Sequence, residues 1–417
     1  MKRNYYIVVL IMITFFVISF ITNVLGALNP AISSDFKLSY TLAACLPFVF
    51  FIAYGVISIP SSMLVETYKQ KKIMVAGFAV SFVGSLLLAI APGYLNSLLS
   101  LFLIGCGMAM LQVVINPLLR TAGGEEHYAF NSVLAQLIFG GASFLSPLVY
   151  SYLVENLNDP NANSFLSTLR SLTPANLLWI SLYWLFAVIS VIMIVVVMLS
   201  KFPKVELTSE EKSGPWHTYV RLFRKRIVVL YFIAMICYVG TEQGTSYWIS
   251  QFLATYHHYD PNTQGTTAVS DFWLYMLFGG LLGLVLLKLI DSRKVLISFT
   301  VLALVSLTVA LFAPANISFY AFACVGFFAS VMYPIIFSLA LNSVEEDHGS
   351  FAGIILTGII GGAIVPLVIG GLSDVFGLRY GMFFLYITLG YILAIGFWAK
   401  PIISNKTVFD KKEIADA

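Results

Sequence analysis

One acidic residue, Glu242, lies near the centre of a long apolar run at roughly residues 227–253. No other acidic residue lies at comparable depth in an apolar run of this chain. A carboxylate in hydrocarbon costs at least ~2.5 kcal/mol on insertion scales, so such a residue usually faces a cavity and marks an ion or substrate pathway. Its chemistry there would be to bind a proton or a metal cation. The alternative is a neutral, hydrogen-bonded glutamic acid that only holds two helices together.

Uncharged polar side chains share the middle depth with Glu242. Amides offer paired donors and acceptors that suit vicinal hydroxyls, and aromatic rings pack against the C–H face of a sugar ring. Two of the amides, Gln112 and Asn116, are four residues apart, so a helix places both on one face. The predicted amide set is Asn23, Gln112, Asn116, Gln136 and Gln243. The aromatic candidates are Trp248, Trp273, Tyr275 and Tyr333, of which Trp273 and Tyr333 complete the predicted binding site.

This combination predicts a cavity for a neutral polyhydroxylated ligand. No cationic residue lies at mid-depth, which argues against phosphorylated or carboxylate substrates. The alternative for each single amide is a hydrogen bond between two helices, worth only ~0.6 kcal/mol on average. Aligning the two halves of the chain carries Asn23 to Gly244, so Asn23 and Glu242 are expected at similar depth.

The elements that must position these residues are membrane-spanning helices. Hydrophobic residues make up 59% of the 417 residues and charged residues only 10%, whereas soluble domains carry about 25% charged residues. A spanning helix needs ~20 mostly apolar residues. We predict twelve such helices, at roughly 6–32, 40–65, 73–93, 97–119, 129–154, 176–200, 227–253, 268–290, 294–313, 317–341, 350–373 and 380–400.

An internal repeat divides this all-α membrane protein into two six-helix bundles. The segment FNSVLAQLIFGGA at 130–142 aligns with FAGIILTGIIGGA at 351–363, and an acidic pair precedes each. Parallel six-helix repeats of this kind are similar to the major facilitator fold, whose site lies at the bilayer midplane between the halves. The predicted parts are an N-terminal bundle, a cytoplasmic linker, a C-terminal bundle and a cytoplasmic tail, at 1–200, 201–226, 227–400 and 401–417.

The placement of lysine and arginine predicts the orientation in the membrane. On the side away from the termini only Lys37, Arg170 and Arg379 are found. Both termini are therefore expected in the cytoplasm, in a multi-pass protein of the cell (cytoplasmic or inner) membrane. The net charge of +3 gives no indication of a nucleic-acid partner. We expect a monomer whose partners are the lipid bilayer and a small-molecule sugar, with no metal site and no cofactor other than a coupling ion.

Four segments resemble the fucose/glucose–galactose permease family of sugar:cation symporters, within the major facilitator superfamily. They are LQVVINP at 111–117, YVGTE at 238–242, MYPIIFSL at 332–339 and GGAIVP at 361–366. The resemblance implies cation-coupled uptake of a monosaccharide by alternating access. Fucose-type members have an acid in the first helix, where this chain has Gly26, and another in the fourth, where it has Gln112. The glutamine version is similar to glucose/galactose members, and it leaves Glu242 as the remaining carboxylate for coupling.

The predicted function is symport of a neutral monosaccharide, a hexose such as glucose or galactose, or fucose, coupled to H⁺ or Na⁺. Two alternatives stay open: an exporter of amphiphilic or drug-like compounds, and a transporter-like sensor that binds sugar without net flux. An enzyme is not expected, because the sequence has no Ser/His/Asp, paired-carboxylate or metal-ligand pattern.

Overall fold

The chain folds into twelve apolar helices that are long enough to cross a membrane. A computed structural model describes residues 4–124, 127–160, 163–203, 216–344 and 346–402, and within them no β-strand is found. The twelve-helix all-α prediction is thereby confirmed. Residues 204–215 of the predicted linker, residues 403–417 of the tail, and Glu125, Glu126 and Glu345 of the two acidic pairs lie outside the described residues.

The spans are numbered 1 to 12 in chain order. Spans 1 to 6 are Tyr5–Asp35, Tyr40–Ser58, Thr67–Ile90, Tyr94–Gly123, Phe130–Asn156 and Ile180–Leu199. Spans 7 to 12 are Arg226–His257, Pro261–Leu289, Ser292–Phe312, Ala315–Leu341, Gly349–Phe376 and Leu378–Trp398. Two short helices, Ser164–Leu172 and Trp216–Phe223, lie outside the spans. Because an even number of spans separates them, Asn4 and Ile402 lie on the same side, called the terminal face below. The other side is called the opposite face.

Span 1 is broken at a different place from the one its sequence suggests. Gly26, Asn29 and Pro30 predict a weak point, yet the first helix ends at Thr22 and a second one, Leu25–Asp35, contains Pro30. Proline removes only the hydrogen bond to the carbonyl four residues earlier, which here is that of Gly26. The break falls instead between these two helices, at Asn23 and Val24.

Several helices run beyond their apolar stretches. Span 8 was predicted from residue 268, but it begins with a π-helical turn at Pro261–Gly265 and continues as Thr266–Leu289. Asp260 caps this start, because its Oδ1 accepts from the backbone N–H of Asn262 at 2.9 Å. Polar residues outside the hydrocarbon thus make this helix longer than hydropathy alone predicts.

Three pairs of spans join the two halves at close approach. In spans 1 and 7, Gly26 lies against the backbone of Ser246. In spans 2 and 11, Gly370 lies against the backbone of Tyr40, and in spans 5 and 8, Gly140 lies against Leu277. Small residues at such crossings let helix backbones approach without a side chain between them.

The halves separate towards the terminal face. Gly55 of span 2 still faces Ile360 of span 11, but Leu356, one turn further on, is 43% exposed. Likewise Gln136, one turn beyond Gly140, is exposed. Every hydrogen bond between described residues of the two halves lies at mid-depth or towards the opposite face. The cleft between the halves is therefore open to the terminal face and closed at the opposite one.

A carboxylate at a helix end closes one side of the opposite face. Asp374, near the end of span 11, accepts hydrogen bonds from the first backbone N–H groups of span 2: Tyr40 N at 2.8 Å and Thr41 N at 3.0 Å. These N–H groups have no partner within their own helix, and the positive end of the helix dipole favours an anion there. On the other side, Tyr150 and Ser151 of span 5 donate to Asn262 of span 8.

Replacing Asp374 with alanine is expected to loosen the closed opposite face. Loss of a capping carboxylate costs about 1 kcal/mol, so the ratio of closed to open molecules should fall roughly fivefold. The measurement is the labelling rate of a single cysteine at Ala43, which is 1% exposed, with a thiol reagent added from that face. The control is Asp35→Ala, because Asp35 accepts from Trp179 within its own half. Equal labelling rates in both variants would contradict the role of Asp374 in holding the opposite face closed.

Candidate functional site

Glu242 lies halfway along span 7 (Arg226–His257), and its side chain is half-buried. Its hydrogen-bonding neighbours are Tyr238, one turn earlier, and Gln243. The ring of Tyr238 lies 5.7 Å from that of Tyr333 in span 10, centroid to centroid, and Tyr333 stacks in turn on Phe337 at 6.0 Å. The carboxylate therefore sits between two phenols and an amide, with access to the cleft.

Asn23, at the break in span 1, is held by serines. Its Nδ2 donates to Ser143 Oγ of span 5 at 2.8 Å and to Ser19 Oγ at 3.3 Å. The two serine oxygens lie 2.7 Å apart, and each is also within hydrogen-bonding distance of the carbonyl oxygen of Phe139, so the two hydroxyl hydrogens are shared among these three contacts. With its nitrogen engaged in this way, the amide turns its oxygen, Oδ1, towards the other half of the protein.

Gln243 connects the two sides of the cleft. Its Nε2 lies 3.5 Å from Asn23 Oδ1 and 3.5 Å from Glu242 Oε1. The structure thus brings together four of the residues predicted from the sequence: Asn23, Glu242, Gln243 and Tyr333. Asn23 and Glu242 lie at the same level, as the alignment of the repeats predicts.

The other predicted amides are accessible but do not touch this group. Gln112 is half-buried and Asn116 exposed on the same face of span 4, and Gln136 is exposed in span 5. Across the described ranges none of the three forms a hydrogen bond to another protein group, so their amides are free to bind a ligand. Gln136 faces the cleft, because it follows the line of Gly140, which contacts the other half.

The aromatic candidates lie in different places. Trp273 is 3% exposed, packs edge to face on Phe272 at 5.3 Å, and leaves its indole Nε1 buried without a partner among the described residues. Trp248 is fully buried towards the opposite face, beside Tyr40 and Tyr247. Trp248 therefore helps to close the opposite face and is not accessible to a ligand in the cleft. That Trp248 supplies a ring for the ligand in another conformation stays a prediction.

A second acidic residue, Asp271, also lies within a membrane span, although the sequence singled out Glu242 alone. The eighth helix starts earlier than predicted, so Asp271 lies inside it and not at its edge. On the helix surface Asp271 shares a face with Thr267 and Phe278, which are both exposed. Residues four and seven apart lie on one side of a helix, so Asp271 lies on an exposed face of span 8. Of these two acids, Glu242 is the one in the hydrogen-bonded group with Gln243 and Asn23.

Gly26 explains one departure from the fucose-type pattern. A Cβ atom at this position would overlap the carbonyl oxygen of Ser246 in span 7. Neither an aspartate nor any other side chain fits there while the opposite face is closed in this way. The position that carries an acid in fucose-type members serves here as a crossing point of two helices.

Two residues of the site, Ser19 and Ser143, were missed from the sequence. Ser19 is four residues before Asn23, a spacing that places both on one helix face, and this signal was available. Ser143 lies 120 residues from Asn23, and nothing in the local sequence indicates that contact.

Two six-helix halves around a polar cleft that opens to one face define a membrane transporter. This chain belongs to the Major Facilitator Superfamily, whose family model matches residues 11–359. The family resemblance inferred from the four sequence motifs is confirmed by the relatives that follow.

Three similar proteins illustrate the relationship. The chain is 28% identical over 410 residues to a glucose/galactose transporter of Brucella abortus (strain 9-941), covering 95% of this chain and 94% of the relative. It is 26% identical over 380 residues to the L-fucose-proton symporter of Escherichia coli (strain K12), covering 87% and 86%. The crystal structure of the transporter FucP in the outward conformation superposes with a TM-score of 0.64 at 21% identity, covering 94% and 98%. These relatives are transporters, in agreement with the expectation that the chain is not an enzyme.

Proposed function

We propose that this protein is a cation-coupled symporter of a neutral monosaccharide. The observation that carries the proposal is the arrangement at mid-depth, where Glu242 faces the cleft and Gln243 joins it to Asn23 in the other half. A carboxylate at the interface of the halves can bind a cation, and the accessible amides of spans 4 and 5 can bind hydroxyl groups. The site residues are Asn23, Gln112, Asn116, Gln136, Gln243, Trp273 and Tyr333 for the sugar and Glu242 for the cation.

The names of the relatives support this substrate class. One is a glucose/galactose transporter and another an L-fucose-proton symporter. Both names specify a neutral monosaccharide, which agrees with a set of amides and aromatic rings free of cationic residues. We propose a hexose such as glucose or galactose, or fucose, as the substrate.

We also propose that the terminal face lies in the cytoplasm of a cell with an inner membrane. The excess of lysine and arginine on that side supports this orientation. In this orientation the structure represents the inward-open state, in which the sugar is released. The protein would act as a monomer, without a cofactor other than H⁺ or Na⁺.

Glu242 can serve either coupling ion. As a proton carrier it would be protonated while both halves close around the sugar and would release the proton to the cytoplasm. As a sodium ligand it would stay ionised, and hydroxyl, amide and carbonyl oxygens would complete the shell that a hard cation prefers. In the other half of the protein, Asn23 Oδ1 is the oxygen that the hydrogen bonds of Gln243 connect to Glu242.

The direct test is uptake in proteoliposomes that contain the purified protein. A panel of labelled hexoses, deoxyhexoses and N-acetylhexosamines is offered under a sodium gradient, under a proton gradient in potassium, and without a gradient. We expect accumulation of at least one neutral sugar under one of the two gradients only. Exchange without accumulation under either gradient would contradict coupling, and binding without any flux would indicate the sensor alternative.

Gln136→Ala is expected to weaken sugar binding without abolishing transport. One lost hydrogen bond is worth about 1 kcal/mol, so the half-saturating sugar concentration should rise roughly fivefold. The control is Asn156→Ala at the far end of the same span, where the amide bonds only the carbonyl oxygen of Tyr152. Initial uptake rates over a range of sugar concentrations measure both variants. An unchanged half-saturating concentration in Gln136→Ala would remove Gln136 from the site.

A further inference from the structure

The amide of Gln243 stands between the proposed cation site and the other half of the protein. Its Nε2 is 3.5 Å from an oxygen of Glu242 in its own helix and 3.5 Å from Asn23 Oδ1 across the cleft. The NH₂ group has two hydrogens and can donate to both acceptors, but at 3.5 Å both hydrogen bonds are long and weak. A short bond to either acceptor therefore requires the nitrogen to move towards that acceptor.

Asn23 is a fixed acceptor in this arrangement. Ser143 and Ser19 hold its Nδ2, and both hydroxyls are tied to the carbonyl of Phe139. Because Ser19, Asn23 and Ser143 are each at most 5% exposed, water does not compete for these bonds. The oxygen of Asn23 therefore keeps its direction whatever happens at Glu242.

The contact between Asn23 and Gln243 also occupies a special level. Among the hydrogen bonds that join described residues of the two halves, it is the one closest to the terminal face along spans 1 and 7. All the others lie where the opposite face is closed. This bond thus lies at the edge of the closed region, next to Glu242.

We propose that Gln243, oriented by the Ser143–Asn23 pair, makes closure of the opposite face depend on whether Glu242 carries a cation or proton. This inference rests on the proposed function. Hydrogen bonds to an ionised acceptor are roughly twice as strong as neutral ones, so an empty, ionised Glu242 draws the Gln243 amide away from Asn23. When a cation or proton neutralises Glu242, the amide turns to Asn23 and strengthens the bond between the halves. Ser143 and Asn23 are positioning residues in this scheme.

Titratable groups around Glu242 are few. Tyr238 on its own helix and Tyr333 on span 10 face the carboxylate, and no charged side chain in the described part of the chain bonds to it. Within this group, Glu242 is therefore the residue whose charge a proton or sodium ion would neutralise.

The test measures the distance across the opposite face as a function of the coupling ion. Spin labels are placed at Leu42 in span 2 and Val375 in span 11, which are 43% and 73% exposed, after replacement of Cys45, Cys106, Cys237 and Cys324. Pulsed electron resonance on the protein in nanodiscs then gives the ratio of closed to open molecules from pH 5 to 9 and from zero to saturating sodium. In the wild type this ratio is expected to change roughly fivefold or more, the lower end of usual coupling between sites.

Ser143→Ala is expected to reduce this change below about twofold, because Asn23 loses its orientation. Gln243→Met, which keeps the side-chain length without the amide, should do the same. The matched control is Ser146→Ala: Ser146 is equally buried and bonds the carbonyl of Phe20 in span 1, but it does not touch Asn23. If Ser143→Ala and Gln243→Met keep the full wild-type change in the ratio of closed to open molecules, the role of Gln243 is overturned, and the proposed symport is not affected. A wild type without any response to sodium or pH overturns cation coupling itself, and the role of Gln243 with it.

Discussion

Replacing Glu242 with glutamine is expected to abolish accumulation of sugar against its gradient while exchange of sugar continues. The substitution keeps the shape of the side chain and resembles the neutral, protonated acid, but it removes the carboxylate that binds the cation. A single coupled charge at 100 mV supplies about 2.3 kcal/mol, which corresponds to roughly a fifty-fold concentration ratio. We expect the ratio inside the proteoliposomes to fall to about one in the variant, as it does for a carrier that only equilibrates its substrate.

The measurement combines net uptake with counterflow of the same labelled sugar. Counterflow at a rate within about threefold of wild type would show that sugar still binds and that the halves still move. The matched control is Asp271→Asn, because Asp271 lies in a membrane span but shares its helix face with exposed residues. Accumulation should survive in that variant. If Glu242→Gln still concentrates sugar, Glu242 is a structural residue and the coupling group lies elsewhere.

Gly26→Ala is expected to have the second large effect, although it adds a single methyl group. The new Cβ would overlap the carbonyl oxygen of Ser246, and backbone atoms cannot rotate away as a side chain can. Overpacking of this kind costs roughly 1–3 kcal/mol. Because the overlap occurs only where spans 1 and 7 cross, the cost falls on the state with a closed opposite face.

Transport through a cycle that includes this state should slow by at least about fivefold, the lower end of that range. Uptake rates together with the spin-label distance between Leu42 and Val375 measure the effect, and the distance should shift towards the open population. Gly141→Ala is the control, because no atom lies near a Cβ at that position. Equal rates in the two variants would mean that spans 1 and 7 rearrange without cost.

The sequence predicted the elements of the fold well, because the membrane imposes a simple rule on them. Each span needs a run of apolar residues of fixed length, and that run is visible without knowledge of any contact. The ends of the helices were less predictable. Asp260 and the turn Pro261–Gly265 extend span 8 through local hydrogen bonds that hydropathy does not register.

The candidate site was predictable in part for the same reason. Glu242 and the amides are unusual in hydrocarbon, so their residue types alone single them out. Their partners are not unusual. Ser143 and the backbone of Ser246 are ordinary membrane-helix groups, and their roles arise from contacts between segments more than one hundred residues apart. A single sequence does not contain that information. The position of Trp248 is a similar case, because the sequence indicated its depth in the membrane but not its contacts with Tyr40 and Tyr247.

The bond between Asp374 and the start of span 2 is one-sided. Asp374 contributes its carboxylate, whereas the start of span 2 contributes the backbone N–H groups of Tyr40 and Thr41, together with the side-chain hydroxyls of Ser39 and Thr41. Any substitution that removes the carboxylate at residue 374 removes all of these bonds, whereas at residues 40 and 41 only proline, which has no N–H, removes a backbone donor. In a random mutant library, losses of this contact should therefore accumulate mainly at residue 374. Comparison of co-varying positions would for this reason overlook it.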